Sequence, residues 1–375
     1  MKGNTLKGIL MSYNVICSKC GKERSNVLMW RCDCGAPYNI IINEIFEKGK
    51  IFNRDRTIWR YRNFFPYVKR GKIISLGEGN TPLTKIENNL WAKLDYLMPT
   101  GSYKDRGTSI LISGLLSDFP KIKGLSEDSS GNAGASVAAY CAKANIDLKI
   151  FVPETTSGVK LIQTKFYGAE VNKVGGSREE VSKKAQEVGR EYLYVGHVWH
   201  PYFKDGIRTL AYEIVEQMNG DSFDYIYVPV SAGTLLIGLI EGFKHLRSSG
   251  IINDIPTIVA SQTSQVSPLY HRLKDLPYNP PTRIESMADA LVSTNPPLLD
   301  YMVKSIKEIN GDTEIVEEEQ IASAYIALAR KGLFVEPSSA VIYATYLKHL
   351  NQGKVRKDDK ILLILTGFGL KKIPF

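Results

Sequence analysis

A lysine close to the start of a predicted helix is the residue of this chain best suited to covalent chemistry. Lys104 lies in the segment PTGSYKDRGTS, in which Pro99 and Gly101 predict a turn and Ser102 predicts the N-cap of the following helix. The helix N-terminus and nearby Arg106 form a positive environment, which favours the neutral amine that forms Schiff bases. The alternative interpretation is a capped surface helix with a solvated Lys-Asp-Arg run.

A second segment, SSGNAGASVAAY, begins at Ser129 and runs into an alanine-rich helix. Ser129, Ser130 and Gly131 would place hydroxyls and backbone N–H groups at the helix N-terminus, where a carboxylate or a phosphate is bound favourably. Asn132 in the same turn could donate to a phenolic oxygen. The alternative is a tight strand-to-helix turn that only allows close packing of the helix.

Two further loops follow apolar, strand-like stretches. Ser231, Ala232, Gly233 and Thr234 come directly after FDYIYVPV and open a predicted helix, so their amides and hydroxyls would suit a phosphate dianion. The loop lacks the full glycine pattern of a dinucleotide site. Thr366 leaves the last apolar stretch, and its hydroxyl could face a neutral acceptor such as a pyridine nitrogen or simply satisfy the strand end.

The elements that position these loops alternate along the chain. Apolar, β-branched or aromatic runs predict strands, and helix-like stretches such as residues 177–192 and 206–220 lie between them. Strands that are apolar throughout indicate a parallel sheet covered on both faces, and therefore a doubly wound α/β fold. Ligands of such sheets bind at the carboxyl ends of the strands. The predicted strands lie within residues 148–154, 223–231, 256–262 and 360–369.

Four of the five cysteines cluster near the start of the chain, as Cys17, Cys20, Cys32 and Cys34. Two cysteine pairs on either side of an apolar stretch, each followed by a glycine, resemble the knuckles of a zinc ribbon. The second pair is CxC where a ribbon usually has CxxC. The alternatives are a ribbon without metal, or a disulfide in an oxidising compartment.

Composition narrows the possible classes of protein. The chain has 375 residues and a formal net charge of +9, but its Lys and Arg residues are scattered, which favours solvated surface charge over nucleic-acid binding. We find no apolar run of the roughly 20 residues that a membrane span needs and no signal-peptide pattern at the start. The sequence therefore predicts a cytoplasmic protein with small-molecule partners and no membrane partner.

Taken together and in order, five motifs resemble the threonine synthase branch of the fold-type II enzymes that use pyridoxal 5′-phosphate (PLP). The resemblance covers nearly the whole chain and implies two doubly wound open-sheet domains after a zinc-ribbon-like segment. The implied boundaries are 1–45 for that segment, 46–110 with 200–375 for a large PLP-binding domain, and 111–199 for a small mobile domain. The motifs are GEGNTPL (77–83), PTGSYKDRG (99–107), SSGN (129–132), EPSSA (336–340) and LTGFGLKK (365–372).

The resemblance also implies a role for each candidate residue. Lys104 would form the Schiff base with PLP, Asn132 would donate to its 3′-oxygen, and Thr366 would face its ring nitrogen. Residues 231–234 would bind its phosphate, and residues 129–131 would bind the substrate carboxylate. The implied activity converts O-phospho-L-homoserine and water into L-threonine and phosphate, in a homodimer.

The sequence departs from the family pattern where the substrate phosphate is expected to bind. Phe203 replaces a common arginine, SAGT replaces an asparagine-bearing loop, and Phe368 replaces a histidine. These departures keep open a related β-replacing or β-eliminating enzyme, such as a cysteate or cysteine synthase or a serine/threonine dehydratase, and a catalytically altered paralogue. A zinc-ribbon nucleic-acid binder is a rival of another class. The missing positive charge could come from Lys160, His197, His200, Lys204 or Arg208, each of which could equally be a surface cation.

Overall fold

The computed structural model describes residues 12–156, 158–189 and 191–372. The strands of this part of the chain are β1 (Tyr13–Cys17), β2 (Tyr38–Ile42), β3 (Leu83–Glu87), β4 (Leu90–Leu94), β5 (Gly124–Glu127), β6 (Asp147–Pro153), β7 (Glu170–Val174), β8 (Tyr192–Tyr194), β9 (Tyr225–Pro229), β10 (Thr257–Thr263), β11 (Asp312–Val316) and β12 (Ile361–Leu365). Its helices are α1 (Lys104–Asp118), α2 (Asn132–Ala144), α3 (Val159–Phe166), α4 (Arg178–Gln186), α5 (Pro201–Ile207), α6 (Thr209–Met218), α7 (Thr234–Ser248), α8 (Pro268–Leu273), α9 (Leu299–Glu308), α10 (Glu318–Arg330) and α11 (Pro337–Asn351).

The strands form two open sheets and one hairpin. The large sheet has the order β11-β10-β9-β12-β4-β3, and all of its neighbours are parallel except the edge pair β3 and β4. The second sheet is parallel throughout, with the order β7-β6-β5-β8. Strands β1 and β2 pair antiparallel near the cysteines. The predicted α/β fold with two open sheets is confirmed, and each of the four predicted strand regions contains a strand.

Both faces of the large sheet are covered, as the continuous apolar strands predicted. Leu362 and Ile364 of β12 belong to one hydrophobic core, whereas Leu363 and Leu365 belong to a second. Alternate side chains of a strand point to opposite faces, so the two cores lie on the two sides of the sheet. Helices α1, α5, α6 and α7 supply the first core, and α10 and α11 supply the second.

Helix α1 packs very closely on α5 at two of its glycines. A Cβ atom on Gly107 would lie 2.7 Å from the backbone oxygen of Phe203, and one on Gly114 would lie 2.6 Å from the ring of Tyr202. Only glycine allows these approaches. The packing therefore brings the Phe203 ring next to Lys104, the first residue of α1.

The four-stranded sheet is built from residues between 124 and 194 and has a small core of its own, against which Trp30 and Trp199 pack. Trp30 comes from the cysteine-rich segment, so that segment contacts the second sheet directly. The division into residues 1–45, 46–110 with 200–375, and 111–199 stays a prediction. None of the described helices is both long and apolar enough to cross a membrane.

Candidate active site

Three of the predicted site segments follow neighbouring strands of the large sheet. Lys104 comes after β4, Thr366 comes directly after β12, and residues 231–234 come after β9, and these three strands are adjacent and parallel in the order β4-β12-β9. Their carboxyl ends therefore meet at one edge. The backbone N–H of Tyr103 donates to the Thr366 carbonyl at 3.0 Å, which joins the first two segments directly.

Lys104 is half-buried between aromatic rings. Its Nζ atom lies 4.9 Å from the ring centroid of Tyr103 and 5.6 Å from that of Phe203. The Tyr103 hydroxyl lies 3.5 Å from Oγ1 of Thr234. Tyr103 therefore lies next to both the lysine amine and the 231–234 loop, and the role of Lys104 as the Schiff-base residue stays a prediction.

Two details predicted for the lysine segment are wrong. Tyr103, and not Ser102, is the N-cap of α1, and no side-chain hydrogen bond caps the helix. The Ser102 hydroxyl is buried without a partner among the described residues. Arg106 does not face Lys104, because its fully buried guanidinium donates to Asp95 and Glu213 at 2.7–3.0 Å. A buried cation needs such carboxylate partners.

Buried carboxylates hold α1 and the turn before Lys104 in place. Burial alone would raise the pKa of Glu213, but the charges of Arg106 and Lys93 hold it well below its ordinary value. Asp105 accepts hydrogen bonds from the Thr100 N–H and hydroxyl and from the Ser136 hydroxyl, at 2.6–2.7 Å. Burial raises the pKa of Asp105 to about 6 against the effect of these hydrogen bonds. The turn that precedes Lys104 is therefore held to both α1 and α2.

Asn132 reaches this edge from the second sheet. It is the first residue of α2, after β5, and its Nδ2 donates to Oε2 of Glu336 at 2.7 Å. Its Oδ1 is buried and has no partner within the described part of the chain. Lys160 forms an ion pair with Oε1 of Glu336 at 2.7 Å. Residues 129–131, just before Asn132, are half-buried and surround the same helix N-terminus.

Glu336 is a site residue that the sequence analysis did not assign. It precedes Pro337 at the start of α11 and is almost fully buried, and a Cβ on Gly367 would lie 1.9 Å from its Oε2. The EPSSA motif signalled a helix start there. Its contact with Asn132 spans 204 residues, and no local pattern indicates such a pairing.

The 231–234 loop leads into the N-terminus of α7. Gly233 has φ +95° and caps α7, and a Cβ there would lie 2.5 Å from Sδ of Met302. Ser231 and Ala232 are half-buried, whereas Thr234 is buried. The N-terminus of the 15-residue helix α7 points its free N–H groups at this loop.

Thr366 is prepared to act as a hydrogen-bond donor. Its Oγ1 lies 2.8 Å from Oγ of Ser339, which already accepts the N–H groups of Thr366 and Gly367 at 3.1 Å each. With its lone pairs engaged in this way, the Ser339 hydroxyl directs its own proton to Thr366. The proton of Thr366 is then free to point towards a neutral acceptor.

Residues 74–367 match the protein family described as pyridoxal-phosphate dependent enzymes. The chain belongs to this family. It is 33% identical, over 95% of its length and 92% of the relative's, to a threonine synthase of Methanocaldococcus jannaschii. Among solved structures, a serine racemase of Dictyostelium discoideum matches with a TM-score of 0.64 and 26% identity, over 79% of this chain and 93% of that one. Threonine deaminase isoform 2 of Solanum lycopersicum has a TM-score of 0.67 at 19% identity, covering 88% and 92%.

The protein is therefore a PLP-dependent enzyme of the threonine synthase family, with the lyase class predicted from its motifs, and the residues at the site fit the cofactor. The buried Ser102 hydroxyl, which has no partner in the described ranges, lies two residues before Lys104 and is free to donate to a cofactor oxygen. The 231–234 loop offers amides for a phosphate, and Thr366 offers a donor for a ring nitrogen. The individual roles stay predictions.

A second site of a different kind lies in the N-terminal segment. Its four thiol sulfurs lie within 4.8 Å of one another, with 3.4 Å between the Sγ atoms of Cys17 and Cys34 and 3.7 Å between those of Cys20 and Cys32. Four thiolates about 2.3 Å from a zinc ion in a tetrahedron would be about 3.8 Å apart. All four cysteines are free thiols, and the cluster could therefore hold zinc.

The turns around this cluster have the predicted knuckle geometry. Gly21 and Gly35, each directly after a cysteine, have φ of +72° and +86°. Between the knuckles, the Trp30 ring packs 5.0 Å from Tyr194 and 5.2 Å from Trp199. A metal here would therefore stabilise a contact with the second sheet.

Replacing Cys32 by Ser should remove zinc from the purified protein. We expect about one zinc ion per wild-type chain, and close to none in the variant, because three thiolates and a hydroxyl are a poor set of ligands for a structural zinc. Cys141→Ser is the matched control, since Cys141 is buried in α2 away from the cluster. Elemental analysis measures the difference. Equal zinc contents in the two variants, or none in the wild type, would contradict the assignment.

Proposed function

We propose that this enzyme is a threonine synthase, which converts O-phospho-L-homoserine and water into L-threonine and phosphate. The observation that carries the proposal is the meeting of Lys104, residues 231–234 and Thr366 at adjacent strand ends, with Asn132 opposite them. The full-length similarity to curated threonine synthases supports the choice of reaction within the family.

The proposed reaction gives a chemical role to Lys104, to residues 129–131 and to Thr366. When bound, PLP supplies an electron sink for the charge that develops at the substrate α-carbon. Lys104 holds the cofactor in the resting enzyme and, once released, carries the α-proton as a general base. The N-terminus of α2 binds the substrate carboxylate through residues 129–131. Thr366 donates to the ring nitrogen without adding a charge, which keeps the ring largely unprotonated.

Residues 111–199 act in this proposal as a small domain that closes over the substrate. Two contacts from α3 support it: Lys160 pairs with Glu336 at 2.7 Å, and Nε2 of Gln163 donates to the Thr100 carbonyl at 3.1 Å. Both partners belong to the segments around the large sheet. Closure at these contacts would exclude water from the site during proton transfer.

The cations considered for the substrate phosphate differ in their availability. Lys160 is paired with Glu336 and Asp289, and Arg208 is paired with Asp205 in a buried contact at 2.7 Å. Lys204 is only 3% exposed, and burial lowers its pKa to about 7. Of these three cations, two are already paired with carboxylates and the third is buried, which supports recognition of the leaving group through neutral hydrogen-bond donors.

The lack of an available cation among Lys160, Lys204 and Arg208 for the substrate phosphate also favours a second candidate, a β-replacing or β-eliminating enzyme whose substrate carries no γ-phosphate. Steady-state assays with three substrates separate the two. We expect phosphate and threonine from O-phospho-L-homoserine, and rates at least about 100-fold lower with phosphoserine plus sulfide or sulfite and with L-threonine. A faster reaction with either of the latter would overturn the proposal. We further propose that the enzyme is a cytoplasmic homodimer and has no nucleic-acid partner.

A further inference from the structure

A buried carboxyl and a histidine lie side by side at the edge of the second sheet that faces the site. Glu127 is the last residue of β5, two residues before Ser129. His197 is in the loop after β8, the parallel neighbour of β5. The carboxyl ends of two adjacent strands thus bring together residues that are 70 positions apart in the chain.

The contacts of this pair point it towards the substrate space. His197 Nδ1 and Glu127 Oε1 are 2.9 Å apart, and the Glu127 side chain is fully buried, whereas 15% of the His197 side chain is exposed. The His197 ring lies 5.4 Å from the Phe203 ring, over which Lys104 Nζ also lies. His197 and Lys104 therefore contact the same aromatic ring.

The second oxygen of Glu127 shows that the pair is more than a satisfied core contact. Oε2 is buried and accepts no hydrogen bond from any described residue. An ionised carboxylate in that state is costly, and the protonated form is favoured. Burial, helped by the charge of Asp128, raises the pKa of Glu127 well above its ordinary value.

The pKa of His197 is shifted so that its neutral form is favoured too. Burial lowers the pKa of His197 well below its ordinary value, and the positive charges of Lys104, Arg178 and Lys204 lower it further. Both shifts favour a neutral acid beside a neutral imidazole. The Glu127 acid then donates to Nδ1, and the proton of the imidazole sits on Nε2, the nitrogen that Glu127 leaves free.

We propose that His197, oriented by Glu127, donates a proton to the leaving group at the substrate γ-carbon. This inference rests on the proposed function. The Phe203 ring offers that group no charged donor, and a neutral N–H donor next to the same ring stabilises the leaving oxygen.

The proton account of the step closes. The γ-carbon–oxygen bond breaks together with a β-carbon–hydrogen bond: Lys104, which carries the α-proton in the earlier step, carries the β-proton, and the electron pair of the carbon–hydrogen bond forms the bond between the β- and γ-carbons. The electron pair of the carbon–oxygen bond goes to the phosphate oxygen, which takes the proton from Nε2 of His197. Lys104 then returns the β-proton to the γ-carbon, which becomes the methyl carbon. The proton of Glu127 moves to Nδ1, so that the pair is left with one negative charge, on the Glu127 carboxylate. When water adds its hydroxyl to the β-carbon, its remaining proton returns to the pair. The Glu127–His197 pair therefore loses one proton and regains one in each turnover.

A change of leaving group separates this role from a structural one. His197→Gln should lower kcat on O-phospho-L-homoserine by about 10²-fold, a usual loss for a missing general acid, but should stay within about threefold of the wild type on the γ-chloro analogue. Chloride leaves without a proton, so the analogue does not need the donor. His271→Gln, on α8, is the matched control and should match the wild type on both substrates.

Glu127→Gln tests the positioning residue. The amide keeps the shape, and its N–H can still donate a hydrogen bond to Nδ1 of His197, but it transfers no proton, so kcat on the phosphate ester should fall about tenfold with little change in KM. Exchange of the substrate α-proton with deuterated water, which depends on Lys104, should continue in both variants.

The outcomes distinguish the two proposals. Equal losses of His197→Gln on the two substrates, or unchanged kcat on the phosphate ester, overturn the role of His197 alone. A wild-type enzyme that releases no phosphate from O-phospho-L-homoserine overturns the proposed function, and the role of His197 with it.

Discussion

Replacing Lys104 by Ala should abolish both turnover and the visible absorbance of the bound cofactor. In the proposed function the nucleophile is the amine of Lys104, which lies over the Tyr103 and Phe203 rings. Without it no Schiff base forms with the enzyme, and the α-proton has no base. We expect a loss of at least about 10⁴-fold in kcat, from the combined removal of covalent and general-base catalysis.

The control for this experiment is Lys143→Ala. Lys143 is exposed on α2, and its replacement should leave the absorbance spectrum and kcat unchanged. Absorption spectra and steady-state rates of the two purified variants make the comparison. A Lys104→Ala protein that keeps the wild-type spectrum and more than a few per cent of its activity would contradict the account.

Replacing Arg106 by Met should destabilise the protein severely. The guanidinium is fully buried and bonded to Asp95 and Glu213, and only Lys93 would remain to balance the Glu213 carboxylate. Removing one partner of a buried ion pair costs about 3–5 kcal/mol, because the remaining charge has neither water nor a partner. We expect the free energy of unfolding to fall by that amount, measured by denaturant titration.

An exposed ion pair provides the comparison. Arg272 and Asp300 are more than half exposed, and Arg272→Met should change the free energy of unfolding by less than about 1 kcal/mol, since water solvates the partner left behind. Equal effects of the two substitutions would show that the ion pairs of Arg106 do not hold α1 in place.

The loops after the strands of the large sheet could be predicted because their signals are local. The apolar runs that became β9 and β12 are hydrophobic at every position, as a strand buried on both faces must be, and turn residues follow directly. Parallel pairing then brings the strand ends together. Thr366 and residues 231–234 follow adjacent strands for this reason, and their roles stay predictions.

Ser102 and Arg106 were misread because the prediction treated the helix start as a local feature. The backbone N–H of Tyr103 bonds to Thr366, more than 260 residues away, so the helix start is fixed by the neighbouring strand and Ser102 is not needed as a cap. Arg106 is two residues from Lys104, and such residues point to opposite sides of a helix. Closeness in sequence therefore did not bring the two charges together.

Glu127 and Glu336 could not be assigned to the site from the sequence, for a different reason. Each acts through a partner far along the chain, His197 in one case and Asn132 in the other. Both glutamates are nearly completely buried, an environment that their residue type argues against. No cation near either glutamate in the sequence indicates that its carboxyl is buried. The burial follows only from the way the two sheets pack in the folded protein.

Borohydride reduction of the purified enzyme, followed by peptide mass spectrometry, tests the central claim most directly. Reduction converts a Schiff base into a stable secondary amine and so marks the lysine that holds PLP. The account predicts a PLP-derived mass increase on the peptide that contains Lys104. A mark on another lysine, or an enzyme that binds PLP and yields no marked peptide, would contradict it.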